Sequence, residues 1–154
     1  MTIYCRNLCW ALMAAVLAVG LPLAKVDAQT EAKKVHKVAI QVSENDKNVM
    51  NRALNNTKNL IDFYKAKGQE VTVEIVTFHD GLHMLRSESP VKDRIAVMSL
   101  ENPNLTFVAC ANTQTNQSKA EGKPVTLLSE AKVMPSGIIR LIELQEQGYA
   151  YIRP

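Results

Sequence analysis

The sequence predicts an α/β fold: a single domain with a mostly parallel five-stranded sheet and helices on both faces. Short runs rich in β-branched residues alternate along the chain with longer segments whose apolar residues recur at helical spacing. Strands that alternate with helices imply right-handed crossovers, and such crossovers place neighbouring strands parallel to one another. The part of the chain after a predicted export signal is long enough for one core without disulfides.

Two strands and a long helix are predicted first. Apolar residues alternate with polar ones over residues 37–43, which is typical of a strand. Asp46 then offers the N-cap of a helix, and Gly68 suits the left-handed turn that ends one. Residues 71–78 are dense in β-branched side chains and predict a buried strand.

Shorter elements follow. His79, Asp80 and Gly81 predict a turn into a short helix that runs to Arg86. A second amphipathic helix is predicted over residues 91–100, and a third strand over residues 105–110.

The last third of the chain is more varied. The polar residues 112–123 predict a helical start followed by a mobile surface loop. A fourth strand is expected at residues 131–134, then a helix capped by Ser136 and ended by Gly148, and finally a strand at residues 149–152.

The N-terminal segment predicts export. Arg6 precedes an almost unbroken apolar stretch, and small residues ending at Ala28 offer a cleavage site before Gln29. We therefore expect residues 1–28 to be a signal peptide and residues 29–154 to be a periplasmic or secreted domain, with no membrane attachment after cleavage. A retained anchor is the alternative.

Charge and motifs exclude several classes of function. The 18 basic and 15 acidic residues are interspersed and nearly balanced, which argues against nucleic acid as a partner. The chain has no glycine-rich dinucleotide fingerprint, no phosphate loop and no G-x-S-x-G nucleophile elbow. No cofactor is expected.

Cys110 is the strongest candidate for chemistry, because it is the lone cysteine after the export signal and ends a predicted strand. Parallel sheets bind ligands at the carboxyl ends of their strands, where His79, Asp80, Asn112 and Thr113 are also expected. The thiol would react as a thiolate favoured by a helix N-terminus or by His79 as a cation. The alternative is a packed, unreactive cysteine.

A metal site is a weaker alternative. His79 and His83 are four residues apart, so a helical turn would place both on one face, where Cys110 or Met84 could complete a zinc or copper site. Histidines at this spacing are common by chance, and we therefore predict no metal ligands.

Several segments together resemble the DsrE/DsrF-like family, in particular its exported branch. They are residues 81–86 (GLHMLR), 89–92 (SPVK), 107–110 (FVAC) with 112–113 (NT), 136–137 (SG) and 143–154 (ELQEQGYAYIRP). The sequence departs from the family pattern at His79-Asp80, where a Gly-Pro pair is expected, and at Ala111, where glycine often follows the cysteine.

The resemblance implies a small α/β domain that forms homotrimers or homohexamers. It also implies, from the sulfur-relay members, a cysteine that carries sulfur as a persulfide, and Cys110 is the matching position. The expected function is therefore an exported sulfur carrier or sulfurtransferase that exchanges sulfur with a donor or acceptor protein. The alternative is a noncatalytic oligomeric protein that binds a small ligand or metal in the periplasm.

Overall fold

A computed structural model describes residues 35–154; the predicted signal peptide, residues 1–28, lies outside them. The described chain forms a five-stranded sheet with four α-helices and one 3₁₀ helix. The strands are β1 (Val35–Val42), β2 (Glu70–Thr77), β3 (Leu105–Cys110), β4 (Ala131–Met134) and β5 (Ala150–Ile152). The helices are α1 (Lys47–Ala66), the 3₁₀ helix (His79–Leu85), α2 (Lys92–Glu101), α3 (Ala111–Glu121) and α4 (Gly137–Glu146).

All strand pairs are parallel, and the strand order is β4-β3-β2-β1-β5. The α/β prediction is confirmed. From β1 to β4 the chain moves across the sheet in one direction, so right-handed crossovers put the connecting helices on one face. The connection from β4 returns across the sheet to β5, and α4 therefore lies on the opposite face. No helix within residues 35–154 has both the length and the apolar character needed to cross a membrane.

The sheet separates two apolar clusters. The larger cluster lies beneath α1, the 3₁₀ helix and α2, and includes Ile40, Met50, Leu54, Ile75, Leu82, Leu85, Ile95 and Phe107. The smaller cluster lies beneath α4 and consists of Ala39, Val76, Phe78, Val108, Cys110, Leu141 and Leu144. Cys110 thus belongs to the face on which α4 is the only helix within residues 35–154.

The predicted end signals of α1 are confirmed. The carboxylate of Asp46 accepts a hydrogen bond of 2.6 Å from the Asn48 N–H and one of 3.3 Å from the Val49 N–H. These bonds satisfy two backbone donors that the first helical turn leaves without partners. At the other end, Gly68 takes a left-handed φ of 65°.

The polar segment after β3 differs from the prediction. We expected a mobile loop after a short helical start, but α3 continues to Glu121 and ends at Gly122, whose φ is 66°. The sequence of α3 lacks the apolar periodicity that marks a packed helix, and none of its residues is buried. Side-chain hydrogen bonds hold it instead, including one of 2.9 Å from Gln114 Nε2 to the Val125 carbonyl.

Candidate functional site

The chain directions define a topological switch point between β3 and β4. β3 leads into α3 on one face of the sheet, whereas β4 leads into α4 on the other. In parallel α/β sheets, ligands bind where two adjacent strands send their helices to opposite faces, at the carboxyl ends of the strands. Cys110, the last residue of β3, pairs in register with Met134, the last residue of β4. The cysteine therefore sits at this switch point.

The Cys110 side chain is surrounded by both apolar groups and backbone donors. It is a free thiol, 5% exposed, and packs in a cluster with Phe78, Val108 and Met134. The backbone N–H groups of Asn112 and Thr113, in the first turn of α3, act on the sulfur. The N–H of Gly137, the first residue of α4, does so as well. The sulfur thus lies close to the N-termini of two helices.

These surroundings have opposing effects on the thiol. Burial is the largest single effect and raises the pKa of Cys110, because an apolar environment disfavours the thiolate. The Thr113 hydroxyl and the three backbone N–H groups lower that pKa and together outweigh burial, so the net shift is downward. The Cys110 side chain forms no capping hydrogen bond of standard geometry with α3. The donors therefore favour mainly the charged form, which attracts them most strongly.

Thr113 connects the cysteine to His79. Its Oγ1 accepts a hydrogen bond of 3.1 Å from the backbone N–H of His79, and its hydroxyl hydrogen is then available to the Cys110 sulfur. His79 has a positive φ of 49°, which is uncommon for a residue with a side chain. Its carbonyl accepts a hydrogen bond of 3.1 Å from Gln117 Nε2 on α3. His79 therefore contributes to the site through its main chain, while its side chain is exposed.

The side chains of the other two predicted site residues, Asn112 and Asp80, are exposed. Asn112 directs an exposed side chain to solvent, and its backbone N–H bonds the Pro135 carbonyl at 3.3 Å, which ties α3 to the loop before α4. Asp80 is exposed in the first turn of the 3₁₀ helix. The structure thus brings Cys110, Thr113 and the His79 main chain together, joins Asn112 through its backbone, and leaves Asp80 at the rim.

The expectation that His79 and His83 share a helical face is wrong. They lie in a 3₁₀ helix, where three residues complete a turn, so residues four apart are rotated by about 120°. His83 Nδ1 instead faces a Glu88 carboxylate oxygen at 4.0 Å. Within residues 35–154, no group of three or more histidine, cysteine, aspartate or glutamate side chains is arranged to hold a metal ion.

Two residues near the sulfur were missed by the sequence analysis. Gly137 was recognised only as part of the resemblance and as the residue after a helix cap, and Phe78 only as the end of a strand. Their closeness to Cys110 follows from the register of β4 and from the crossover to α4. Neither feature has a local signal in the sequence.

The fold and the site define a single α/β domain with a buried cysteine at the switch point of a parallel sheet. The chain is similar to the solved structure of a protein of unknown function, MTH1491 from Methanobacterium thermoautotrophicum. The two share 28% sequence identity with a TM-score of 0.65, and the match covers 77% of this chain and 99% of that one. No family model matches the chain, and no curated protein matches it.

Proposed function

We propose that the protein is a sulfur carrier or sulfurtransferase of the DsrE/DsrF-like kind, which holds sulfur as a persulfide on Cys110. The observation that supports this most strongly is the placement of a free thiol at the switch point, where donors from α3 and α4 favour its thiolate. The thiolate is the form that attacks sulfur compounds.

The transfer balances without a cofactor. The Cys110 thiolate attacks the terminal sulfur of a donor persulfide, R–S–SH. A new sulfur–sulfur bond forms between Cys110 and the terminal sulfur, the donor's own sulfur–sulfur bond breaks, and R–S⁻ leaves with the electron pair. The proton stays on the transferred sulfur, so the product is Cys110–S–SH. An acceptor thiolate then attacks that terminal sulfur and regenerates the Cys110 thiolate, so there is no net oxidation or reduction.

The site residues have separate roles in this reaction. The Thr113 hydroxyl and the backbone N–H groups of Thr113 and Gly137 stabilise the thiolate before attack and again when it is the leaving group. Because Cys110 is buried at the end of β3, we expect the donor sulfur to approach it from the carboxyl ends of β3 and β4. That restriction favours a small persulfide or a partner protein that presents its sulfur on an extended side chain.

The test is sulfur loading of the full chain with Cys5 and Cys9 replaced by serine, so that Cys110 is the only cysteine. After incubation with a persulfide donor, we expect a gain of about 32 Da in intact mass, reversed by a reductant. Peptide mapping should place the sulfur on Cys110, and Cys110→Ser should show no gain. Absence of the gain, or an equal gain in Cys110→Ser, would refute the proposal.

A noncatalytic small-ligand binding protein is the second candidate function, favoured by the burial of Cys110 against Phe78 and Met134. On this account the cysteine is a packing residue. Cys110 would then resist sulfur loading in the folded protein, and Cys110→Ser would leave ligand binding intact.

We also propose that the protein acts in the periplasm or outside the cell as a homo-oligomer, a trimer or hexamer. The resemblance motivates both statements, and the outer face of α4 supports the second. Ile138, Ile139 and Ile142 are each at least half exposed there. An exposed apolar patch of this kind is typical of contacts between subunits.

Light scattering coupled to size-exclusion chromatography tests this assembly. Ile142→Glu should reduce the oligomer to smaller species, because it places a charge in the contact. Leu100→Glu is the matched control, since Leu100 is 88% exposed on α2, away from this surface. A monomeric unsubstituted protein, or equal dissociation in both variants, would contradict the assignment.

A further inference from the structure

Gly137 and Phe78 are in unusually close contact. A Cβ atom added to Gly137 would lie 2.7 Å from Phe78 Cδ1 and 3.0 Å from Phe78 Cβ. Separations of this size are shorter than van der Waals contact, so any larger residue would push the start of α4 away. Phe78 cannot yield easily, because it is only 8% exposed and packs in the smaller apolar cluster.

The same glycine is brought to the Cys110 sulfur by strand register. Cys110 lies opposite Met134 across the β3–β4 pair, and Gly137 follows three residues later as the first residue of α4. The backbone of α4 can therefore reach the sulfur only if the helix starts close to the end of the sheet. The missing side chain at Gly137 allows that approach over Phe78.

A second contact holds α4 one turn further along. Arg140 donates hydrogen bonds of 2.6 Å and 2.9 Å to the two carboxylate oxygens of Glu74, which is buried on β2. The backbone N–H of Arg140 also closes the first helical turn onto the Ser136 carbonyl at 3.0 Å. The helix is thus fixed laterally by Arg140, and its distance from the sulfur depends on Gly137 and Phe78.

We propose that Gly137 and Phe78 are positioning residues. Their close contact holds the first turn of α4 against the Cys110 sulfur and so determines how readily the thiol reacts. The inference rests on the proposed function in that the same sulfur is used, but its test measures the thiol alone. Failure of sulfur loading would therefore leave this inference standing, and failure of the inference would leave sulfur loading standing.

The influence of charged and titratable groups elsewhere around the site on the Cys110 thiol must be distinguished from that of the Gly137–Phe78 contact. They are His79 and Asp80 on the 3₁₀ helix, Lys132 on β4, the Arg140–Glu74–Glu143 group between α4 and β2, and Lys119, the first charged residue along α3. None of them is altered by the substitutions below.

The experiment is the pH dependence of alkylation of the folded protein, with Cys5 and Cys9 replaced by serine. Gly137→Ala should raise the thiol pKa by about one unit, because a backbone donor moves away from the thiolate. Adding Phe78→Leu to Gly137→Ala makes room for the new methyl group and should return the pKa most of the way. Gly122→Ala is the control: it strains the positive φ at the end of α3 but lies far along that helix from Cys110.

An unchanged pKa in Gly137→Ala would overturn the inference, as would an equal rise in Gly122→Ala or no recovery in the double variant. If Gly137→Ala does not fold, the pH dependence of the Gly137 amide resonance can be measured by NMR in the protein that keeps Gly137. The Gly137 amide resonance should then titrate with the midpoint measured by alkylation. The inference would also be overturned if the Gly137 resonance did not shift at this midpoint while the Thr113 amide resonance did.

Discussion

Replacing Thr113 with valine tests the donor set around Cys110 most sharply, because valine keeps the shape of threonine and removes only the hydroxyl. A hydrogen bond to a charged group contributes about 1.5–3 kcal/mol. Since about 1.4 kcal/mol corresponds to one pKa unit, losing the Thr113 hydroxyl should raise the thiol pKa by about one to two units. The lower end is expected, because the backbone N–H groups of Thr113 and Gly137 still act on the sulfur.

The rate of alkylation converts this shift into a measurement. At pH values below both the original and the raised pKa, a rise of one unit leaves about tenfold less thiolate. The thiolate of a weaker acid is a better nucleophile, by about threefold per unit, so the net slowing is about threefold. The loss of the acceptor for the His79 N–H should also cost up to about 1 kcal/mol of folding free energy.

Thr115→Val is the matched control, since Thr115 lies two residues further along α3 and is exposed. Its alkylation profile should match that of the unsubstituted protein. The reasoning is refuted if folded Thr113→Val keeps the original midpoint, or if both variants shift equally.

Two further predictions concern pH and His79. Because the folded-state pKa of Cys110 is lowered, the unfolded state binds more protons between the folded and unfolded pKa values, and stability rises with pH there. The difference in unfolding free energy between the unsubstituted protein and Cys110→Ala should therefore grow as the pH rises through the folded pKa and level off above about 8.5, the ordinary thiol value. Urea unfolding at a series of pH values measures this difference. A difference that stays constant or falls as the pH rises would contradict the prediction. His79→Gly should leave the thiol pKa unchanged, because His79 acts through its N–H, and should raise stability by up to about 1 kcal/mol by relieving the positive φ; a raised pKa in that variant would instead show that the imidazole acts as a cation on the sulfur.

Much of the fold was predictable because its signals are local. The alternation of β1, the Asp46 cap of α1 and the β-branched run of β2 each specify one element without reference to the rest of the chain. The end of β3 at Cys110 was located in the same way. α3 was truncated in the prediction because its contacts are polar and long-range, so its sequence lacks the apolar stripe of a packed helix.

The site was predictable only in part, for a related reason. Placement at the carboxyl ends of strands identified Cys110, Thr113 and the His79 position, since it follows from topology alone. The part played by Gly137 depends on the exact register of β4 and on its contact with Phe78, residues far apart in the sequence. The sequence offered either a helix N-terminus or the His79 imidazole as the group that favours the thiolate. In the structure, His79 has a positive φ and donates its backbone N–H to Thr113 Oγ1, a contact that has no signal in the sequence.

The central claim is that Cys110 is a thiol prepared for reaction by the N-termini of α3 and α4. Its most direct test is the pH dependence of alkylation of Cys110 in the folded protein, with the urea-unfolded chain as reference. We expect a midpoint in the folded protein below the value of about 8.5 that is typical of an unperturbed thiol. A midpoint at or above that of the unfolded chain, or a folded thiol that does not react at any pH, would contradict it.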